Sequence, residues 1–188
     1  MEPLLPKLVA DACRTLQALA TQEDTFQKVA AAAVDALKSG GKLLTCGNGG
    51  SAADAMHLAE ELVGRYQANR RPLAAISLNA DPTLLTCIGN DYGFDEIFSR
   101  QVEGLGNKND LLVCFSTSGN SRNILRALEA AKSKGVKSVA LLGKDGGKAK
   151  GKADFEILIA STDGGRIQEA HTLILHALLE VIEHAVAT

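Results

Sequence analysis

Two short segments carry the residues best suited to chemistry. Gly47-Asn48-Gly49-Gly50-Ser51 follows the apolar run Lys42 to Cys46 and leads into a helical stretch that ends near Tyr66. Glycines let a backbone approach an anion closely, so this loop can aim several N–H groups at one point, with the positive end of the next helix behind them. Ser116-Thr117-Ser118-Gly119-Asn120-Ser121 has a matching context, after an apolar run and before a helix from about Arg122 to Lys134, and supplies four hydroxyls. One phosphate and one sugar chain would suit the pair. Taken alone, either loop equally describes a tight turn with helix-capping serines; the matching contexts favour binding. On the helix after the first loop, His57 and Glu61 stand four apart and so share a face. A shared metal is feasible there, and so is an ordinary surface ion pair.

These residues need a frame that brings the loops together. Short apolar runs bounded by glycine or turn residues recur at Lys42–Cys46, Leu73–Leu78, Asp110–Phe115, Val136–Leu142 and Phe155–Ile159, separated by helical or glycine-rich segments. That alternation predicts an α/β fold with a parallel sheet of about five strands, a three-layer doubly wound arrangement whose ligands collect beyond the carboxyl ends of the strands. Ahead of the sheet, Leu4, Leu5, Leu8, Val9, Cys13, Leu16 and Leu19 predict an amphipathic helix over the first twenty residues, and a second helix follows from about Thr25 to Lys38. The segment Gly165 to Ala187 predicts a long closing helix that is apolar on more than one face. Its apolar surface and that of the first helix exceed what one sheet covers, which implies helices buried between subunits. Residues 1–188 are read as one domain, with 1–40 contributing to an oligomer interface.

Composition narrows the function. With 20 basic and 22 acidic residues and no basic stripe, nucleic acid is a poor partner. The N-terminal leucines are interrupted by charges, so no signal peptide or membrane span is expected and the address is cytoplasmic. Cys13, Cys46, Cys87 and Cys114 lie far apart and are read as reduced packing residues. Gly47-x-Gly49-x-x-Ala52 also satisfies a loose dinucleotide fingerprint, but Gln67 to Pro72 lacks the acidic residue that would hold a ribose.

The string from Cys46 to Leu62, CGNGGSAADAMHLAEEL, resembles the phosphoheptose isomerase family of sugar isomerase (SIS) domains. Gly89–Phe94, Phe98–Val102, Ser116–Ser121 and Arg166-Ile167-Gln168-Glu169-x-His171 also look like motifs of that family, in its order and spacing. The resemblance implies a flavodoxin-like SIS fold and a homotetramer with active sites between subunits. It further implies isomerisation of sedoheptulose 7-phosphate to heptose 7-phosphate, the first step toward bacterial surface heptoses. One Zn²⁺ per subunit would be held by positions matching His57, Glu61, Gln168 and His176. Glu61 becomes the base and His176 the acid of an enediol mechanism, roles that suit their chemistry. Asn48, Gly49, Gly50, Ser51, Asn90, Asp91, Ser116, Thr117, Ser118, Ser121 and Gln168, with Glu61, become the substrate contacts. Asn90-Asp91 before Tyr92-Gly93 also reads as a turn.

Gln168 and His176 are eight residues apart, about 12 Å along a helix and rotated by roughly 80°. One chain can barely aim both at one ion, which implies that they serve different subunits' sites or that the helix begins irregularly near Gln168. The competing reading is a non-catalytic SIS domain that binds a phosphosugar or a protein, like the paralogue associated with the bacterial replication initiator. Those paralogues lack the full His and Glu set that this chain retains.

Overall fold

The computed structural model describes residues 3–186; Met1 and Glu2 of the expected first helix and Ala187 of the last lie outside them. Five parallel strands stand in the order β2-β1-β3-β4-β5: β1 Leu43–Gly47, β2 Ala75–Ser77, β3 Leu111–Ser116, β4 Lys137–Gly143 and β5 Phe155–Ile159. Alternate residues of each strand feed opposite faces, as the pleat requires. Leu43, Leu111, Val113, Phe115, Val139, Leu141 and Ile157 meet one helical layer, whereas Leu44, Cys46, Leu112, Cys114, Ala140 and Leu142 meet the other. Burial on both faces explains why these strands read as continuous apolar runs.

The first layer contains α2 (Glu23–Lys38), α3 (Gly50–Val63) and α7 (Gly164–Val186), with α1 (Leu4–Leu19) leaning on α7. The second contains α5 (Ser99–Leu105) and α6 (Arg122–Lys134). Between β2 and α5 lies α4 (Pro82–Tyr92), started by Asp81, whose carboxylate accepts from the N–H groups of Thr83 and Leu84. The turn reading of Asn90-Asp91 is thereby corrected, because both residues belong to the last turn of α4 and the chain reverses only at Gly93, φ 91°.

Two further expectations change. α7 buries Ile167, Ala170, Ile174, Leu175, Leu178, Leu179 and Ile182 within its own chain, so its apolar faces are largely consumed by α1, α2 and α3. Uncovered apolar surface remains on α1, where Leu4, Leu5 and Val9 are 68%, 71% and 52% exposed, at Leu173 of α7, and on α4, which buries only Ile88. Of the cysteines, Cys46 and Cys114 are buried as expected, but Cys13 and Cys87 are exposed.

Candidate functional site

The strand order reverses between β1 and β3, so the chain leaves their carboxyl ends in opposite directions and opens a crevice there. The two loops picked out by their glycines and hydroxyls sit at this point. Asn48 and Asn123 exchange side-chain amide bonds of 2.8 and 2.9 Å and so tie one loop to the other. A cavity of about 40 Å³ between them is lined by Asn48, Ser51, Phe115, Ser116, Thr117, Ser118 and Ser121. Helices α3 and α6 both begin here, so two positive helix ends face the same space. Gly49 takes φ 58° and ψ −123°, a backbone only glycine adopts readily. Ser121 occupies the N-cap of α6 without its hydroxyl bonding the helix, contrary to the capping alternative. Ser116 and Ser118 turn their own loop, accepting from the N–H groups of Gly119 and Asn120.

Along α3 the structure lays a second group of residues against α7. The two helices run side by side in one direction: Gly50 meets the Gln168 carboxamide, Asp54 bonds Thr172 at 2.9 Å, and His57 meets His176. His57 Nε2 is 3.4 Å from Glu61 Oε1, and the rings of His57 and His176 stand edge to face with centroids 5.1 Å apart. Tyr66 stacks on His176 with centroids 5.6 Å apart. Among the described residues, donor atoms of His57, Glu60 and Glu61 lie within 4.8 Å of one another. Imidazole and carboxylate donors are those zinc takes, so this cluster with His176 has the right chemistry for such an ion.

Helix α7 is regular from Gly164 onward, which removes the irregular-start alternative for Gln168. Gln168 and His176 both face α3 of their own chain, but two turns apart, the first at the loop and the second at His57. Asn90 and Asp91 are not brought to this cluster; they stand exposed on α4, where the Asn90 amide bonds the Asp91 carboxylate at 2.8 Å.

The end of α3 is fastened by a buried ion pair. Glu183 of α7 accepts from the backbone N–H groups of Tyr66, Gln67 and Ala68 and from Arg70 Nε at 3.0 Å. Arg70 in turn donates to the carbonyls of Glu61 and Leu62, satisfying two orphan acceptors of α3. Burial works to raise the Glu183 carboxyl pKa, but the three N–H donors and Arg70 outweigh it and hold the pKa below the usual value. Tyr66, Asn123, Arg70 and Glu183 were not singled out as site or supporting residues from the sequence. Only Asn123 had a local signal, as a polar residue on the inner face of the helix after the hydroxyl loop.

One buried residue is unusual. His171 is fully buried, its ring packs edge to face on Phe115 at 5.9 Å, and neither ring nitrogen has a partner. Burial lowers its pKa from 6.5 to about 4, which the nearby Leu142 backbone offsets only in part. His184, by contrast, is exposed and rests on the carbonyl of Glu180.

Comparison with known proteins gives a consistent picture. The SIS domain family model matches residues 9–143. The phosphoheptose isomerase of Vibrio cholerae serotype O1 is 47% identical over 190 residues, 99% of each chain. That of Helicobacter pylori strain HPAG1 is 54% identical over 150 residues, 80% of this chain and 78% of the relative. The solved phosphoheptose isomerase of Neisseria gonorrhoeae superposes with a TM-score of 0.89 at 40% identity, covering 96% of this chain and 97% of that one.

Proposed function

Because the chain belongs to the phosphoheptose isomerase family of SIS-domain proteins, we propose that it interconverts sedoheptulose 7-phosphate and D-glycero-D-manno-heptose 7-phosphate by moving a proton between C1 and C2. The observation that carries the residue assignment is the lateral pairing of α3 with α7, which sets Glu61 and His176 around His57. His57 lies seven residues, roughly 10 Å, along the helix from the loop that begins it. An extended sugar phosphate suits that separation, with its phosphate among Ser116, Thr117, Ser118 and Ser121 and its reacting end at Glu61. Asn48, Gly49, Gly50 and Ser51 complete the anion cradle.

Glu61 takes a proton from C1 while His176 gives one to the C2 carbonyl oxygen, leaving an enediol between the two carbons. The hydroxyl at C1 then returns a proton to His176, and Glu61 delivers its proton to C2, so the aldehyde forms and both side chains are regenerated. Gln168, beside Gly50 at the loop end of α7, donates from its carboxamide to the substrate there. One zinc ion per subunit would be held by His57, Glu61 and His176 together with Gln168, which, two turns from His176 on α7, would come from a neighbouring copy, and when bound the ion would polarise substrate oxygens. Two imidazoles and a carboxylate support that choice of metal, with the glutamine a weaker donor.

The exposed apolar residues of α1 and α4 support a homotetramer with intersubunit active sites. Asn90 and Asp91 then reach substrate when α4 packs on a second copy. Among the described residues no helix is long and apolar enough to cross a membrane, which accords with a cytoplasmic enzyme of heptose supply. The test is NMR of the zinc-loaded chain with sedoheptulose 7-phosphate beside a Glu61→Gln variant. An aldoheptose phosphate from the first and none from the second is expected. No product from the intact, metal-loaded assembly would refute the assignment and favour a phosphosugar-binding regulator.

A further inference from the structure

The first loop leaves β1 where its outer neighbour has already ended, since β2 stops at Ser77, opposite Thr45. On that side of β1 alternate residues carry the ladder: the Leu43 N–H donates to the Ala74 carbonyl at 3.0 Å, and the Thr45 carbonyl accepts from the Leu78 N–H at 2.8 Å. Gly47 is next in that series, beyond the end of β2. The Asn79 carboxamide stands in for a strand there, accepting the Gly47 N–H at 3.1 Å and donating to its carbonyl at 2.9 Å. Both backbone groups of Gly47 are thereby satisfied by one side chain.

Asn48 is held from the other side of β1, where β3 leads into the hydroxyl loop and α6. Its two amide bonds engage Asn123, a residue only 1% exposed. Asn48 and Ser51 line the cavity between the loops, whereas Asn79 and Asn123 do not. The hold reaches Ser51 through the backbone. A Cβ on Gly47 would stand 2.3 Å from the Ser51 carbonyl oxygen, so Gly47 lies tight against the first turn of α3, and the Ser51 N–H donates to the Asn48 carbonyl at 3.1 Å.

Resting on the isomerase reading, we propose that Asn79 and Asn123 are positioning residues that clamp the first loop from both sides of β1 and fix its distance from the hydroxyl loop before a phosphate group arrives. Asn79 sets the backbone at Gly47, Asn123 sets the side chain of Asn48, and neither touches the phosphate itself. A cradle already held in its bound shape gives up less freedom on binding, so the clamp raises the affinity for the phosphate group. Its effect falls on binding rather than on the proton transfers, which take place about two turns along α3.

Inorganic phosphate is the probe, titrated by calorimetry into the full chain without substrate. The unsubstituted chain should bind it. Asn123→Leu and Asn79→Leu each keep a branched side chain and remove two hydrogen bonds, and each should weaken phosphate binding about tenfold. Asn79 is only half-buried, so its variant reads the clamp even where a leucine at the buried position 123 hinders folding. Because Asn123 acts through Asn48, adding Asn123→Leu to Asn48→Ala should cost no further affinity, whereas a general structural defect would add in full. In turnover of sedoheptulose 7-phosphate, KM should rise with kcat little changed. Unchanged phosphate affinity in both single variants, full additivity in the double variant, or no phosphate binding by the unsubstituted chain would overturn the proposal. The titration needs no turnover. A chain that binds phosphate in this pattern yet makes no aldoheptose phosphate refutes the isomerase reading alone, and one that turns over with its phosphate affinities unchanged refutes the clamp alone.

Discussion

Protonation of His171 should destabilise the fold well above the pH at which most carboxylates titrate. Its pKa is about 4 when folded against 6.5 for a free side chain, so the fold favours the neutral ring. That contribution is fully present above about pH 6.5 and is lost as pH falls toward about 4. At about 1.4 kcal/mol per unit, the whole shift amounts to about 3 kcal/mol, of which about 2 kcal/mol is lost between about pH 7.5 and about pH 5. This is a large fraction of a typical stability of about 5–15 kcal/mol. The assay is urea unfolding followed by circular dichroism at both pH values, at one fixed protein concentration, for the unsubstituted chain and His171→Leu. Asp54 acts with the opposite sign, since its raised pKa means that acid relieves a burial penalty. Glu183, with a lowered pKa, loses stability only as pH falls below about 4.5. Both remain in the variant, so the difference between the two proteins isolates His171. The unsubstituted chain should lose about 2 kcal/mol more than the variant. Parallel losses would show that His171 finds a partner or water that keeps its charged form tolerable.

Two other substitutions test the site and its support. In Gly50→Ala the new methyl would overlap the Gln168 carboxamide, with Cδ and Oε1 at 2.8 Å, so the side chain must swing away. The unfolding temperature should hardly move, while kcat/KM in the isomerase assay falls by on the order of 10²-fold; unchanged turnover would show that Gln168 is not needed where it lies. In Glu183→Gln the Arg70 guanidinium, with its side chain only 4% exposed, is left as a buried charge without its partner. A loss of about 3–5 kcal/mol is expected in urea unfolding, accompanied by weaker activity as Tyr66 is released from His176.

The strands and both loops were legible in the sequence because each strand is a short apolar run buried on both faces and each loop announces itself by glycine or hydroxyls. The doubly wound parallel sheet followed from their alternation. Helix α4 was not legible, since it buries only Ile88 and so shows no apolar stripe, while its Asn-Asp-Tyr-Gly end has the composition of a turn. The first helix was legible as a helix, and its Leu4, Leu5 and Val9 satisfy the helical period while facing outward from the chain. At the site, His57 and Glu61 could be paired by spacing alone. Tyr66 could not be joined to His176, nor Asn48 to Asn123, because those contacts depend on how α3 lies against α7 and how two loops meet across a sheet. Residues such as Glu183, whose role is to receive N–H groups from a distant turn, carry no local signature at all.

The pairing of α3 with α7 also bears on when the site comes into being. Asp54 and Thr172 are 118 positions apart, and everything that separates them, including four of the five strands, is synthesised in between. Domains acquire their local contacts early and their distant ones late, because closing a long stretch of chain is entropically expensive. The loop after β1 and the helix bearing His57 and Glu61 are therefore made long before His176 exists to face them. A nascent chain can hold both loops and most of the sheet before His176 faces His57, and that pairing is complete only when the last helix of the fold docks.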